Sequence, residues 1–267
     1  MSKLKNKTVL ITGGGSGIGK IMSRLMLERK AKVIIWDINQ TNIDKTLSEL
    51  SSDDIYGYQV DVSNIDQIKD TALKVKQDIG VVDVLINNAG IIVGKYFPDH
   101  SVGEIRQTME INSIAPMILT KVFLQDMLDQ DTGHICNIAS SGGLVSNPKM
   151  SVYAASKWSL IGWSDSLRLE MRQLKKNIQV TTIMPYYINT GMFDGVQSKI
   201  PILDPEAASL SIVKAIETNR KMITLPGYIY RLTRLGQGFM PLNLFDWFTG
   251  DLLGIYKTME NFTGRKK

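Results

Sequence analysis

A tyrosine and a lysine placed four residues apart are the side chains in this sequence best suited to proton-transfer chemistry. Tyr153 and Lys157 belong to the segment YAASK, where the apolar period predicts a helix over 151–176 with both side chains on one face. An ammonium group beside a phenol favours the phenolate. The spacing therefore predicts that the pKa of Tyr153 is lowered from about 10 toward the pH at which the protein works. A tyrosine with such a pKa can take a proton from an alcohol or give one to a carbonyl.

A serine hydroxyl is expected near this pair. Ser140 ends the apolar run HICNIAS, which predicts a strand over 134–140, and it precedes Tyr153 by thirteen residues. Its hydroxyl can orient a substrate oxygen and stabilise the charge that develops on that oxygen. Ser141 is the alternative serine.

A glycine-rich turn, GGGSGIG, follows the first predicted strand and precedes the first predicted helix. The first N–H groups of such a helix and the positive end of its dipole form an anion-binding site. Gly13, Gly17 and Gly19 are spaced G-x-x-x-G-x-G, and their bare backbone lets a pyrophosphate approach closely. The turn therefore predicts a dinucleotide cofactor.

Asp37 predicts which dinucleotide binds. It ends the predicted strand 32–37, about twenty residues beyond the turn, where a carboxylate can hydrogen-bond both ribose hydroxyls. The same carboxylate would repel the 2′-phosphate of NADP, and Ser16 supplies no compensating positive charge. The sequence therefore predicts NAD as the cofactor, with NADP less favoured.

Short apolar runs alternate with longer segments of helical period along the chain. This alternation predicts an α/β fold: a single doubly wound parallel sheet of the Rossmann type with helices on both faces. We expect one catalytic domain over 1–267, with 226–267 as a C-terminal extension. The predicted strands are 7–12, 32–37, 55–61, 82–87, 134–140, 178–184 and 221–226, and the predicted helices are 17–29, 64–78, 101–129, 151–176 and 205–219.

Composition argues against several other classes of protein. The formal net charge is only +5, and its basic residues are scattered apart from the triplet at 265–267, so a nucleic-acid partner is not expected. A single cysteine, Cys136, and two distant histidines, His100 and His134, show no metal-ligand spacing. We expect no metal, no secretory signal and no transmembrane segment, and we predict a cytoplasmic location.

The motifs together resemble those of the short-chain dehydrogenase/reductase family. TGGGSGIG is similar to the family's cofactor turn, and Asp61-Val62 to the acidic position after the third strand that holds the adenine amino group. NNAG at 87–90 resembles the fourth-strand motif, and PYYINTG at 185–191 the segment after the sixth strand. The resemblance extends over about residues 5–225, although Tyr186 stands where many members have glycine.

The resemblance implies a role for each matching residue. Asn112, Ser140, Tyr153 and Lys157 match the catalytic tetrad, in which Lys157 also grips the nicotinamide ribose and Asn112 holds a water of the proton relay. Ser140 fits the family spacing, and Ser141 is one residue off. The expected cofactor residues are Gly13, Gly15, Ser16, Gly17, Ile18, Gly19, Asp37, Asp61, Val62, Asn88, Ala89, Gly90, Tyr153, Lys157, Pro185, Ile188 and Thr190.

The segments INTGMF (188–193) and KMITLP (221–226) resemble the branch that holds epidermal-type retinol dehydrogenases and 17β-hydroxysteroid dehydrogenases. This resemblance implies an NAD(H)-dependent oxidoreductase acting on a lipophilic alcohol, ketone or aldehyde, and a homodimer or homotetramer. A 3-oxoacyl thioester reductase is the alternative enzyme. A dinucleotide-binding redox sensor without catalysis is the alternative of another class.

The C-terminal extension is unusually aromatic. This composition indicates burial or association, and we favour a hydrophobic lid or a subunit contact over an interfacial membrane patch. Its seven aromatic residues between 228 and 256 are Tyr228, Tyr230, Phe239, Phe245, Trp247, Phe248 and Tyr256.

Overall fold

The computed structural model describes residues 3–264, so the basic triplet at 265–267 lies outside the described residues. Within them, seven strands form one sheet in the order β3-β2-β1-β4-β5-β6-β7, and every neighbouring pair is parallel. The chain builds the sheet outward from β1 in one direction and from β4 in the other. The predicted doubly wound sheet is thereby confirmed. The strands are β1 (Thr8–Thr12), β2 (Lys32–Asp37), β3 (Ile55–Gln59), β4 (Val84–Asn87), β5 (Gly133–Ile138), β6 (Ile178–Pro185) and β7 (Met222–Leu225).

Helices connect the strands and continue beyond the last one. The predicted helix over 101–129 is divided, because a π-helical turn at Glu110–Ile114 separates α4 from α5. A second π-helical turn, Trp247–Leu252, follows α9. The α-helices are α1 (Gly17–Glu28), α2 (Gln40–Leu50), α3 (Ile65–Asp78), α4 (Val102–Met109), α5 (Ala115–Asp129), α6 (Ser151–Gln173), α7 (Pro205–Glu217), α8 (Tyr228–Phe239) and α9 (Leu242–Asp246).

Both faces of the sheet are covered by helices. Val9 and Ile11 of β1 point to one face and pack in a core that includes Met22 of α1. Leu10 points to the other face and belongs to a second core with Leu119 of α5. Burial on both faces explains why the strands are apolar almost throughout.

The carboxyl ends of β1 and β4 are tied together by hydrogen bonds. The Thr12 hydroxyl accepts from the backbone N–H groups of Asn88 and Ala89, both at 3.0 Å. The Asn88 side-chain amide in turn donates to the Thr12 carbonyl at 2.9 Å. These bonds hold together the carboxyl ends of β1 and β4, which border the point where the strand order reverses. Ligands of doubly wound sheets bind at that point.

The chain after β7 packs against the segment 189–204. The Asp194 carbonyl accepts from the backbone N–H of Thr263 at 2.9 Å, and the Gln197 N–H donates to the Thr258 carbonyl at 3.2 Å. A third apolar cluster, which includes Tyr187 and Met259, lies between the two segments. In residues 3–264, no helix has the length and apolar character needed to cross a membrane.

Candidate active site

A cavity of about 580 Å³ lies at the carboxyl ends of the strands, across the point where the strand order reverses. Segments that follow six strands, β1 to β6, line this cavity together with α6. Seventeen of the predicted site residues meet there: Gly13, Ser16, Gly17, Ile18, Gly19, Asp37, Asp61, Val62, Asn88, Ala89, Gly90, Ser140, Tyr153, Lys157, Pro185, Ile188 and Thr190. We call this space the cofactor cavity.

The glycine turn makes the floor of the cofactor cavity. Gly13 has φ +64°, a left-handed conformation that favours glycine. A Cβ at Gly19 would lie 2.1 Å from the Gly13 carbonyl oxygen, which no side chain can tolerate. α1 begins at Gly17, in the cavity wall, so the helix N-terminus and the bare backbone together form a cradle that fits a pyrophosphate.

Asp37 is fixed beside this turn by two backbone hydrogen bonds. Its Oδ2 accepts from the Gly15 N–H at 3.0 Å, and its Oδ1 accepts from the Asn39 N–H at 3.0 Å. The carboxylate is 8% exposed and lines the cofactor cavity. The predicted cofactor residue Gly15 does not line the cavity. Its N–H donates to Asp37, so Gly15 supports that carboxylate from behind the cavity wall.

Tyr153, Lys157 and Ser140 converge at the end of β5. The Lys157 Nζ donates to the Ile138 carbonyl at 2.9 Å and lies 5.7 Å from the centre of the Tyr153 ring. The Ser140 Oγ accepts from the Gly142 N–H at 3.1 Å, which fixes its rotamer at the cavity wall. All three side chains are buried, so charges on them act in a medium of low dielectric constant.

The prediction from the sequence that the pKa of Tyr153 is lowered is wrong. Burial raises it to about 12, and hydrogen bonding with Ser140 offsets only part of this rise. Burial also lowers the pKa of Lys157 to about 8. Desolvation outweighs the attraction between the two groups, because both are fully enclosed and the lysine amine is directed at the Ile138 carbonyl.

Asn112 lies in the π-helical turn behind the cavity wall. Its Oδ1 accepts from the Ile91 N–H at 2.9 Å, and its Nδ2 donates to the Ile91 carbonyl at 2.8 Å and to the Ser156 Oγ at 3.1 Å. Its fully buried side chain therefore fixes the backbone next to Gly90. Its role as a holder of a relay water stays a prediction.

A second cavity, of about 630 Å³ and mostly apolar, adjoins the cofactor cavity. Ser140, Tyr186 and Phe193 line both cavities, so they form the junction. Ser141 lines only the second cavity, which we call the apolar cavity. The C-terminal extension supplies much of its wall, through Tyr228, Ile229, Leu232, Thr233, Leu235, Gly236, Phe239, Met240, Phe245, Phe248, Thr249, Leu253 and Ile255.

Three aromatic residues near Tyr153 were missed as site residues by the sequence analysis. Phe193 contacts the Tyr153 ring edge-on with 6.2 Å between centres, and it contacts Tyr187 at 4.9 Å. Tyr186 is held in the wall by a 2.8 Å hydrogen bond between its hydroxyl and the Ser198 Oγ. The available signal was the bulky Tyr-Tyr pair after Pro185, where a glycine is common.

The site combines a cradle for a nucleotide with a buried tyrosine and lysine. A serine hydroxyl lies where this site adjoins an apolar cavity. This combination is typical of an oxidoreductase that transfers hydride. The family profile described as short chain dehydrogenase matches residues 7–201, and the chain belongs to this family. The predicted family is confirmed. The protein is an oxidoreductase that uses a nicotinamide dinucleotide.

Named relatives agree with this assignment. Epidermal retinol dehydrogenase 2 of Mus musculus is 33% identical over an alignment 267 residues long. The alignment covers 97% of this chain and 86% of that protein. Estradiol 17-beta-dehydrogenase 11 of Homo sapiens is 34% identical over 231 residues, covering 85% of this chain and 77% of that protein. A short chain dehydrogenase/reductase from Burkholderia phymatum, solved in complex with NAD, has the same fold, with a TM-score of 0.82 and 24% identity over 89% of this chain and 95% of its own.

Proposed function

We propose that the protein is an NAD(H)-dependent dehydrogenase that interconverts a lipophilic alcohol and its ketone or aldehyde. The observation that carries this proposal is the position of Ser140, which lines both the cofactor cavity and the apolar cavity. A substrate held in the apolar cavity can therefore bring its oxygen to Ser140 and Tyr153. Relatives named for retinol and estradiol support a lipophilic substrate.

Asp37 supports NAD as the cofactor. Its carboxylate is buried, is held by two backbone N–H groups and lines the cofactor cavity beside the glycine turn. An acceptor there suits ribose hydroxyls and repels a phosphate. A homodimer or homotetramer and a cytoplasmic location stay predictions.

Each residue of the proposed site has a separate task. The Ser140 hydroxyl orients the substrate oxygen, and Tyr153 gives a proton to a carbonyl or takes one from an alcohol. Lys157 holds a positive charge that stabilises the phenolate. When bound, the nicotinamide dinucleotide supplies the hydride donor or acceptor, and its oxidised form adds a positive charge that opposes the rise in the Tyr153 pKa.

The experiment is a comparison of Tyr153→Phe with Tyr187→Phe, its matched control. Both substitutions remove one buried hydroxyl from the same aromatic cluster, but the Tyr187 hydroxyl bonds to Asn147 and Thr258 and lies away from the cofactor cavity. We expect Tyr153→Phe to lower kcat by roughly 10²–10⁴-fold and to bind NADH normally, and we expect Tyr187→Phe to stay within about tenfold of wild type. A near-normal rate for Tyr153→Phe would place the proton transfer elsewhere.

A substrate panel measured at the NADH absorbance band separates the alternatives. It contains alcohols and ketones of increasing chain length and a 3-oxoacyl thioester. Preference for the thioester would favour the alternative enzyme. NADH binding without turnover of any compound would favour a redox sensor.

A further inference from the structure

Exposed apolar side chains form a row along α8. Tyr228, Leu232, Leu235 and Phe239 recur at positions i, i+4, i+7 and i+11, so they share one face of the helix. All four are more than half exposed, and Phe239 reaches 85%. The buried residues of α8, such as Ile229, lie on a different face. An apolar row of this kind on a protein surface indicates an interaction site.

The row continues beyond α8. Leu242 of α9 is 73% exposed, and Trp247 and Leu252 in the following π-helical turn are about half exposed. These three side chains do not line the described cavities, so their exposure is to the outside. We call the exposed apolar residues of 228–252 the α8–α9 surface.

The apolar cavity opens within the α8–α9 surface. All four residues of the α8 row line this cavity and are also more than half exposed, so the row forms its mouth. A compound that enters the cavity here crosses apolar side chains before it reaches Ser140, which lines the same cavity. A second copy of the chain on this surface would cover the mouth.

The charges around the surface suit lipid headgroups. Arg231 and Arg234 are exposed on α8, beside the apolar row, and the helix contains no acidic residue. Asp246 accepts a hydrogen bond from the Tyr256 hydroxyl at 2.8 Å, while Asp251 is exposed. An apolar helix face flanked by arginines is the pattern of helices that lie in the interface of a bilayer with anionic lipids.

We infer that the α8–α9 surface docks on a lipid bilayer and that the lipophilic substrate enters the apolar cavity directly from the lipid. The second part rests on the proposed function, whereas the docking does not. The aromatic and leucine side chains insert among the acyl chains, and Arg231 and Arg234 contact lipid phosphates. The part of the C-terminal extension that lines the apolar cavity is then also the membrane contact.

Vesicle flotation of the full chain tests the docking. The probe is phosphatidylcholine vesicles with and without phosphatidylserine. The test variant is Leu242→Glu with Trp247→Glu, and the matched control is Leu73→Glu with Leu174→Glu, which places the same charges at exposed apolar positions elsewhere. We expect wild type and control to float, and the test variant to bind at least about tenfold more weakly.

The arginines are tested separately. Arg231→Glu is expected to abolish the preference for vesicles that contain phosphatidylserine, whereas Arg172→Glu, an exposed position at the end of α6, preserves it. Wild type that stays in solution, or a test variant that floats like wild type, overturns the docking. If wild type is a dimer without lipid and the test variant is a monomer, the surface is a contact between two copies of the chain, and the docking is likewise overturned.

Turnover distinguishes failure of this inference from failure of the proposed function. We expect the test variant to lose about tenfold in kcat/KM for a long-chain alcohol presented in vesicles, and to retain wild-type kcat/KM for a short alcohol in water. Equal loss with both alcohols overturns entry from the lipid. Flotation of wild type without turnover of either alcohol refutes the proposed function and leaves the docking intact.

Discussion

Replacement of Lys157 by methionine is expected to change how the stability of the protein depends on pH. Burial lowers the pKa of this lysine from 10.5 to about 8 in the folded chain. Between these two values the unfolded chain binds more protons than the folded chain, so this group makes the free energy of unfolding rise with pH. Below pH 8 both states carry the ammonium, and the folded state bears the full cost of burying it.

The magnitude follows from the shift. One pKa unit corresponds to 1.36 kcal/mol, so the contribution of Lys157 is expected to rise by roughly 1–2 kcal/mol between pH 8 and about pH 9.5. The lost hydrogen bond to the Ile138 carbonyl adds a difference that is the same at every pH. The free energy of unfolding of wild type minus that of Lys157→Met is therefore expected to increase with pH over this range.

Urea unfolding without cofactor, followed by tryptophan fluorescence at several pH values, measures this difference. Subtraction removes the contributions of Tyr153 and Cys136, whose pKa values are raised by burial and which make stability fall as pH rises above about 9. Lys74→Met on α3 is the control, because this lysine is exposed, and its difference is expected to stay flat. A flat difference for Lys157→Met would refute the reasoning, since it would mean that the ammonium is not desolvated.

Three further predictions concern cofactor binding, substrate binding and stability. Asp37→Ala combined with Ser16→Arg is expected to weaken NAD binding by roughly 10- to 100-fold, because charge-assisted hydrogen bonds are lost, and to improve NADP binding. Titration of each variant with NAD and with NADP measures both affinities, and Ser16→Arg alone is the control. A wild type that prefers NADPH to NADH would contradict this prediction. Phe248→Ala removes a ring from the apolar cavity and is expected to raise KM for ring-bearing alcohols about tenfold, whereas Trp247→Ala, outside the cavity, leaves KM in solution unchanged; equal effects would refute the assigned wall. Tyr186→Phe is expected to lower the free energy of unfolding by about 1 kcal/mol, since it removes the hydroxyl that is hydrogen-bonded to the Ser198 Oγ, and urea unfolding that shows no change would contradict that bond.

The sheet was predictable because each strand carries its own signal. Runs such as VLIT and VIIW are apolar on both faces, and the glycine turn after Thr12 marks the end of β1 without reference to any other part of the chain. The strand order then follows from the topology of parallel connections. The break at Glu110–Ile114 was not predictable, because it depends on Asn112 reaching the backbone of Ile91 on another segment.

The sequence was sufficient to predict which residues form the site but not the direction in which the pKa of Tyr153 shifts. Motifs placed Asp37, Tyr153 and Lys157 because a functional group and its spacing are local properties. The sign of the Tyr153 pKa shift depends on how completely the ring is buried, and that burial comes partly from Phe193, forty residues later in the chain. Helix spacing alone carries no information about such enclosure.

The two cavities are completed at different times during synthesis of the chain. The residues that line the cofactor cavity end at Phe193, whereas the apolar cavity needs residues up to Ile255. A chain still attached to the ribosome can therefore bind its nucleotide before α8 has left the exit tunnel, and such binding stabilises the incomplete fold. The hydrogen bond from the Gln237 side-chain amide to the Leu144 carbonyl, which joins α8 to the wall near Ser140, spans 93 residues and forms late, because closing so long a loop is slow. The molecule therefore acquires its apolar cavity after its cofactor cavity.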